Sequence, residues 1–256
     1  MIIDFHTHAF SEKIVEKAMG NLTATSGIMP YTDGTVNGLL EIMNNSGVDK
    51  SVVLPIATKP SQQRIVNSWA KEIMSDKIYA FGSVHPDAED ALEELDRIKE
   101  SGLYGVKLHP DYQDMYFDNI RYERIIDAAS ELGLITVVHA GVDPKCPEDV
   151  HCTPKMARKV LDDVKPEKLV LAHMGGNEMW GDVERYLVGQ NVYFDTGVIL
   201  NTMPQEQFLR IVHMHGADRI LFGTDSPWAD QKNFVALLEH MPLTEEEKAA
   251  IFSENA

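Results

Sequence analysis

The residues most able to do chemistry in this chain of 256 residues stand at the ends of short apolar runs. Asp4, His6 and His8 share the run Ile2–His8. Lys107 lies in Gly105–Pro110, His139 closes Leu134–His139, His173 closes Leu169–His173 and Asp225 closes Arg219–Asp225. Side chains alternate faces along a strand, so Asp4, His6 and His8 are expected on one face and Ile3, Phe5 and Thr7 on the other. Two imidazoles at i and i+2 can converge just beyond a strand's end and hold a metal ion, and neutral imidazole suits zinc, iron and similar ions. Taken singly, each residue has a plainer reading: a chance surface His-x-His, a satisfied core His139, or Asp225 as a helix N-cap before Pro227. Their recurrence at equivalent points of five runs argues against coincidence.

The elements that must position them alternate regularly. Strand-like runs recur at 2–8, 51–55, 78–84, 105–110, 134–139, 169–173, 192–195 and 219–225. Helical patterns fall between them at 36–45, 62–74, from Pro86 through Ile98, and at 120–131, 154–161, 205–213 and 233–240. Gly47 has the place of a C-cap, and Thr244 with Glu247 fits a capping box opening a last helix over 244–252. Residues 9–34, rich in Gly, Thr and Pro, read as a long loop. Eight strands alternating with helices indicate a parallel sheet with crossovers, which can close into an α/β (β/α)8 TIM barrel forming a single domain over 1–256. The other parallel arrangement, an open doubly wound sheet, is disfavoured because the first turn lacks a Gly-x-Gly-x-x-Gly phosphate loop. In a barrel the C-terminal strand ends share one face, where active sites are built.

Composition narrows the partners. A net charge of -17 argues against nucleic acid or an anionic membrane as partner. No apolar run approaches the roughly 20 residues of a bilayer span, and Met1-Ile2-Ile3 meets Asp4 without a signal-peptide pattern. Cys146 and Cys152 make no disulfide framework. The expectation is a cytoplasmic protein acting on a small molecule.

Asp-Phe-His-Thr-His, Gly-Val-Lys-Leu-His-Pro, Val-Val-His-Ala-Gly, Leu-Ala-His-Met-Gly-Gly and Phe-Gly-Thr-Asp-Ser-Pro resemble the successive motifs of the amidohydrolase superfamily. The resemblance is closest to its amidohydrolase-related branch, which also holds decarboxylases similar to aminocarboxymuconate semialdehyde decarboxylase. It runs to Glu254-Asn255-Ala256, which looks like the branch's C-terminal signature. The resemblance implies that His6, His8, His139 and Asp225 ligate one divalent metal, zinc by default with manganese or iron as alternatives. It also implies that His173 faces the reacting atoms. Asp225 or His173 would then move the proton of a metal-activated water. The motif around Lys107 is similar to one in dihydroorotases, whose carboxylated lysine bridges two metals. One ion is the expectation here, two if Lys107 is carboxylated; otherwise Lys107 is an ammonium that binds a substrate carboxylate or pairs with Asp4. A homodimer is expected by the same analogy.

Other residues have smaller claims. Asp4 is either an acceptor for a ligating imidazole or a barrel-floor carboxylate. His109 shares the inward face with Lys107 and either touches substrate or packs under Pro110. Glu178, Trp180 and Trp228 follow site residues in loops, and Asp195-Thr196-Gly197 supports the site from behind. His85 reads as a loop or rim residue, and His213 and His215 as solvated helix-end residues. Lys59, Arg64 and Lys145 are candidate substrate cations. The stretch Asp143–Pro154, with Cys146, His151 and Cys152, matches no zinc spacing and reads as a mobile substrate loop. The expected activity is hydrolysis of a C–N or C–O bond in a small carboxylated or cyclic substrate. Its rivals are non-oxidative decarboxylation and a catalytically inactive binding barrel.

Overall fold

Eight short runs rich in aliphatic and β-branched residues form parallel strands in a computed structural model that describes residues 1–256. They are β1 (Ile3–Thr7), β2 (Lys50–Val53), β3 (Ile78–Ala80), β4 (Gly105–Leu108), β5 (Ile135–Val138), β6 (Leu169–Leu171), β7 (Tyr193–Asp195) and β8 (Ile220–Leu221). The helices are α1 (Val15–Ser26), α2 (Val36–Ser46), α3 (Gln63–Glu72), α4 (Ala91–Glu100), α5 (Pro110–Gln113), α6 (Ile120–Glu131), α7 (Pro154–Val164), α8 (Trp180–Tyr186), α9 (Gln205–His215), α10 (Gln231–Glu239) and α11 (Glu245–Ala249).

Strands β1 to β3 pair in order, as do β4 to β8. Two thin seams join these sheets into the (β/α)8 barrel expected from the alternation. Gly82 bridges to Val106 at one, and Thr7 to Ser226 at the other. The second seam carries hydrogen bonds from Phe5 N to Phe222 O (2.8 Å), from Asp225 N to His6 O (2.7 Å) and from His8 N to Ser226 O (2.6 Å). Phe5, Val52, Leu54, Phe81, Val137, Val170 and Leu221 fill the barrel interior. A larger apolar layer lies between strands and helices. No helix is long and apolar enough to cross a membrane.

The simple alternation along β1 fails at an informative place. Ile3 and Asp4 pair with Lys50 and Ser51, but Thr7 pairs with Val53, so β1 carries one extra residue between Asp4 and Thr7. Such a bulge re-aims side chains. Phe5 packs in the interior, yet the next ring, His6, also reaches across the barrel to Lys107 on β4. Asp4 turns instead toward α10 and accepts from Gln231 Nε2 at 2.7 Å.

Other expectations are corrected in the same terms. The expected loop over 9–34 contains α1, which buries only Met19 and so leaves little apolar periodicity to read. Helix α4 starts at Ala91 rather than Pro86, because residues 85–88 form a turn and Asp90 is held by Gln63 and Arg97. Trp180 opens α8 rather than lying in a loop. Strands β6 and β8 end before their motifs do, since His173 (φ 60°), Met174 (φ 54°) and Asp225 (φ 64°) take left-handed conformations that leave the ladder. His215 is buried, not solvated: it stacks on Phe194 at 4.2 Å and bonds to the backbone of Gly189 and Val192. His85 lies in a loop as expected, but buried rather than at the rim. Gly47 is a left-handed cap (φ 75°), and the Thr244–Glu247 capping box is present.

Candidate metal centre

His6 and His8 meet Asp225 at the seam between the first and last strands. His6 Nε2 lies 3.2 Å from His8 Nε2 and 3.4 Å from Asp225 Oδ1, and His8 Nε2 lies 3.0 Å from the same oxygen. The rings are fixed from behind. His8 Nδ1 is 2.9 Å from the carbonyl oxygen of Leu54, which can only accept, so Nδ1 carries the proton. His6 Nδ1 is 2.9 Å from Asp195 Oδ2 and donates likewise. With both rings neutral, the two Nε2 atoms present lone pairs to one another and to Asp225 Oδ1, a buried oxygen to which no other group donates.

Three electron-rich atoms in contact without a proton between them call for a cation. Ligands bound at about 2.0–2.2 Å around a tetrahedral ion lie about 3.3–3.6 Å apart, close to the separations found. His6, His8 and Asp225 thus fit a divalent metal. The protonation states of His6 and Asp225 suit it. Burial pushes His6 down to about 4, helped by the Lys107 charge and opposed by Asp195 and Asp225. Asp225 is held well below the ordinary carboxylate range, against the burial that works to raise it. Neutral imidazole and ionised carboxylate are the forms that bind metal.

The fourth expected ligand, His139, is turned elsewhere. Its Nδ1 lies 2.9 Å from His173 Nε2, while His173 Nδ1 lies 3.0 Å from the Gly197 carbonyl oxygen. The chain of donors therefore runs from His139 to His173 to Gly197. The Nε2 of His139 faces Asp143 Oδ2 at 3.7 Å and Asp111 Oδ2 at 3.9 Å, and it has no hydrogen-bond partner. His109 Nε2 is also 3.7 Å from Asp143 Oδ2. A shared ion does not fit there, because the His109 and His139 rings stack at 4.1 Å with planes 7° apart. A single ion between stacked rings lies out of both ring planes, where neither lone pair points.

Lys107 is fully buried with Nζ 3.3 Å from His6 Nε2. Burial lowers it to about 8, against the pull of Asp195, Asp225 and Asp143. Asp4 makes no ring contact. It accepts from the backbone of His6 and Thr224 and from the side chains of Thr224 and Gln231, so it is the floor carboxylate of the two readings. His109 caps α5 by accepting from Tyr112 N. Glu178 is exposed at a left-handed turn, away from these contacts. Trp228 is half-buried, and its backbone N–H donates to the Asp225 carbonyl. Of the candidate cations, Lys59 is exposed, Arg64 pairs with Asp90, and Lys145 reaches the Asp111 carbonyl. The Asp143–Pro154 stretch is fastened at its far end, where the carbonyls of His151 and Cys152 accept from Phe117 and Gly141. Asp111, which His151 contacts through Oδ1, escaped the sequence reading; its signal was only its place after His109-Pro110.

Fold and site together define a barrel enzyme of the amidohydrolase superfamily. A family model described as Amidohydrolase matches residues 3–256, and the chain belongs to that family. No curated protein matches it. Among solved structures it is similar to 5-carboxyvanillate decarboxylase from Sphingomonas paucimobilis, with 17% identity, a TM-score of 0.74, and 99% of this chain and 97% of that one covered. It is also similar to 2,6-dihydroxybenzoate decarboxylase from Rhizobium, with 17% identity, a TM-score of 0.76, and 99% and 96% covered. A third is dihydroxybenzoic acid decarboxylase from Polaromonas with bound manganese and 2-nitroresorcinol, with 16% identity, a TM-score of 0.74, and 99% and 95% covered. At these identities the likeness establishes the fold.

Proposed function

We propose that this protein is a metal-dependent, non-oxidative decarboxylase of a small hydroxyaryl carboxylic acid, in preference to the hydrolase expected from the motifs. The observation that carries the reading is the convergence of His6, His8 and Asp225 on one point at the seam. Away from it, His139 Nδ1 and His173 Nε2 bond to each other, and the stacked His109 and His139 rings do not fit a shared ion. The structural neighbours named as decarboxylases support the same reading, and the manganese of one of them supports a divalent ion not restricted to zinc.

A bound divalent cation would hold a substrate oxygen and stabilise negative charge as it develops. The remaining work belongs to the chain. Lys107, as an ammonium, draws the anionic substrate into a site of carboxylates. When the bond between ring carbon and carboxylate breaks, carbon dioxide leaves and the electron pair stays on carbon. That carbon then takes one proton. The hydrogen-bonded His139–His173 pair can hold and deliver it, with Asp143 behind His139. Burial raises Asp143 to about 6, so part of its population is protonated near neutrality.

The test is product analysis of manganese-loaded enzyme on a panel of hydroxybenzoic acids in deuterated water. The expected result is carbon dioxide with one deuterium at the vacated carbon. His173→Asn is expected to lower kcat by about 100-fold or more with metal content unchanged. Ring opening or amide cleavage of cyclic substrates without carbon dioxide release would return the reading to hydrolysis.

A further inference from the structure

His6 lies between two groups that fix its tautomer: Lys107 Nζ, 3.3 Å from Nε2, and Asp195, at the end of β7, which faces Nδ1. The Asp195 side chain is fully buried. One oxygen, Oδ2, takes the His6 Nδ1 proton at 2.9 Å. The other, Oδ1, accepts two backbone N–H groups, from His173 at 3.0 Å and from Gly197 at 2.9 Å. The Asp195 carbonyl accepts the Met174 N–H at 2.7 Å. Position 197 leaves room for this junction: a Cβ there would lie 3.1 Å from Asp195 Oδ1, from His173 Nδ1 and from His6 Nδ1.

We propose that Asp195 is the positioning residue of the metal centre, fixing His6 as an Nε2 donor and tying that ring to the left-handed backbone of His173. The proposal rests on the reading of His6 as a ligand. Its force lies in the asymmetry of the carboxylate. Because two N–H donors hold Oδ1, an asparagine at this position must put its carbonyl oxygen there. Its NH2 then occupies the place of Oδ2 and faces His6 Nδ1. To meet that donor the ring must accept at Nδ1 and carry its proton on Nε2. That is the atom 3.2 Å from His8 Nε2 and 3.4 Å from Asp225 Oδ1. Asp195→Asn therefore keeps the shape and reverses the donor, whereas Asp195→Ala removes the acceptor but leaves the ring free to ligate.

The two variants separate positioning from packing. In a manganese titration of metal-free protein, with free ion read by electron paramagnetic resonance, affinity should fall in the order wild type, Asp195→Ala, Asp195→Asn. The expected losses are about 10-fold for alanine and about 100-fold or more for asparagine. A purely structural carboxylate gives the opposite order, with the isosteric asparagine near wild type and alanine worst, and that result overturns the proposal. Nitrogen-15 spectra of histidine-labelled, metal-free protein supply a second readout. His6 should carry its proton on Nδ1 in wild type and on Nε2 in Asp195→Asn, which decides the matter even where the alanine variant fails to fold. His6→Ala is the control for the underlying reading. If wild type takes up no manganese or zinc, or His6→Ala binds as wild type does, the metal centre itself is wrong. If His6→Ala loses the ion while Asp195→Asn keeps both wild-type affinity and the Nδ1 proton, the Asp195 assignment alone is wrong.

Discussion

Lys107 shows what a single residue gives up for chemistry. Its amine is wholly buried, and burial lowers it from an ordinary value of 10.5 to about 8. Since the charged form is the one disfavoured, the folded chain binds fewer protons at this site than the unfolded chain between those values. The buried ammonium is therefore a destabilising feature at neutral pH. Lys107→Met is expected to raise the stability of the metal-free protein at pH 7 by an amount on the order of 3 kcal/mol. The same charge is what the proposed carboxylate substrate needs. As pH rises through about 8 the ammonium is lost, so kcat/KM of the wild type should fall on the alkaline side with a one-proton dependence. The methionine variant should show a raised KM and no such limb. A Lys107→Met enzyme with unchanged KM and the same alkaline fall would remove Lys107 from substrate binding.

At the scale of elements, the site depends on how neighbouring strand ends are fastened. Gly141, just past β5, has φ 88° and bridges to Asn177 beyond β6. A Cβ there would lie 2.0 Å from Asn177 N and 2.4 Å from Asn177 O, and backbone cannot yield without breaking the bonds that align His139 with His173. Gly141→Ala is expected to cost on the order of 4 kcal/mol, roughly a 10 °C fall in Tm for a domain of this size. A melt within 2 °C of wild type, about 1 kcal/mol or less, would show that this fastening is dispensable. Much at this scale was legible in the sequence. The alternation announced the barrel, and His6, His8 and Asp225 stood at strand ends where they indeed converge. What was not legible has specific causes. The extra residue in β1 is a matter of register against β2, and it separates Asp4 from the two histidines with which it shares a period. The orientation of His139 is set by its hydrogen bond to His173, a partner that the fold brings close and that spacing does not show. Helix α1 buries one residue, so no apolar stripe marked it.

For the whole molecule, the donor cluster has a mechanical consequence. The barrel is two sheets joined at thin seams, and one seam is the meeting of β1 with the chain after β8. His6 and His8 lie on one side of it and Asp225 on the other, so a bound ion ties the first strand to the last. An ion that binds only the folded chain stabilises it by about 2.7 kcal/mol at 100 times its Kd, equivalent to roughly 5–10 °C in Tm for a domain of this size. Because the tie is local, the gain should not be spread evenly. Local opening is easiest where hydrogen bonds are few, and the seam has few. Hydrogen exchange of metal-free against manganese-loaded protein should therefore show the added protection concentrated in residues 3–10 and 220–228. The other seam, around Gly82 and Val106, should change little. Asp225→Ala should abolish both the Tm shift and the difference in exchange while leaving the exchange of the metal-free fold near that of wild type. Protection that rises equally at both seams, or that survives in Asp225→Ala, would place the ion elsewhere in the barrel.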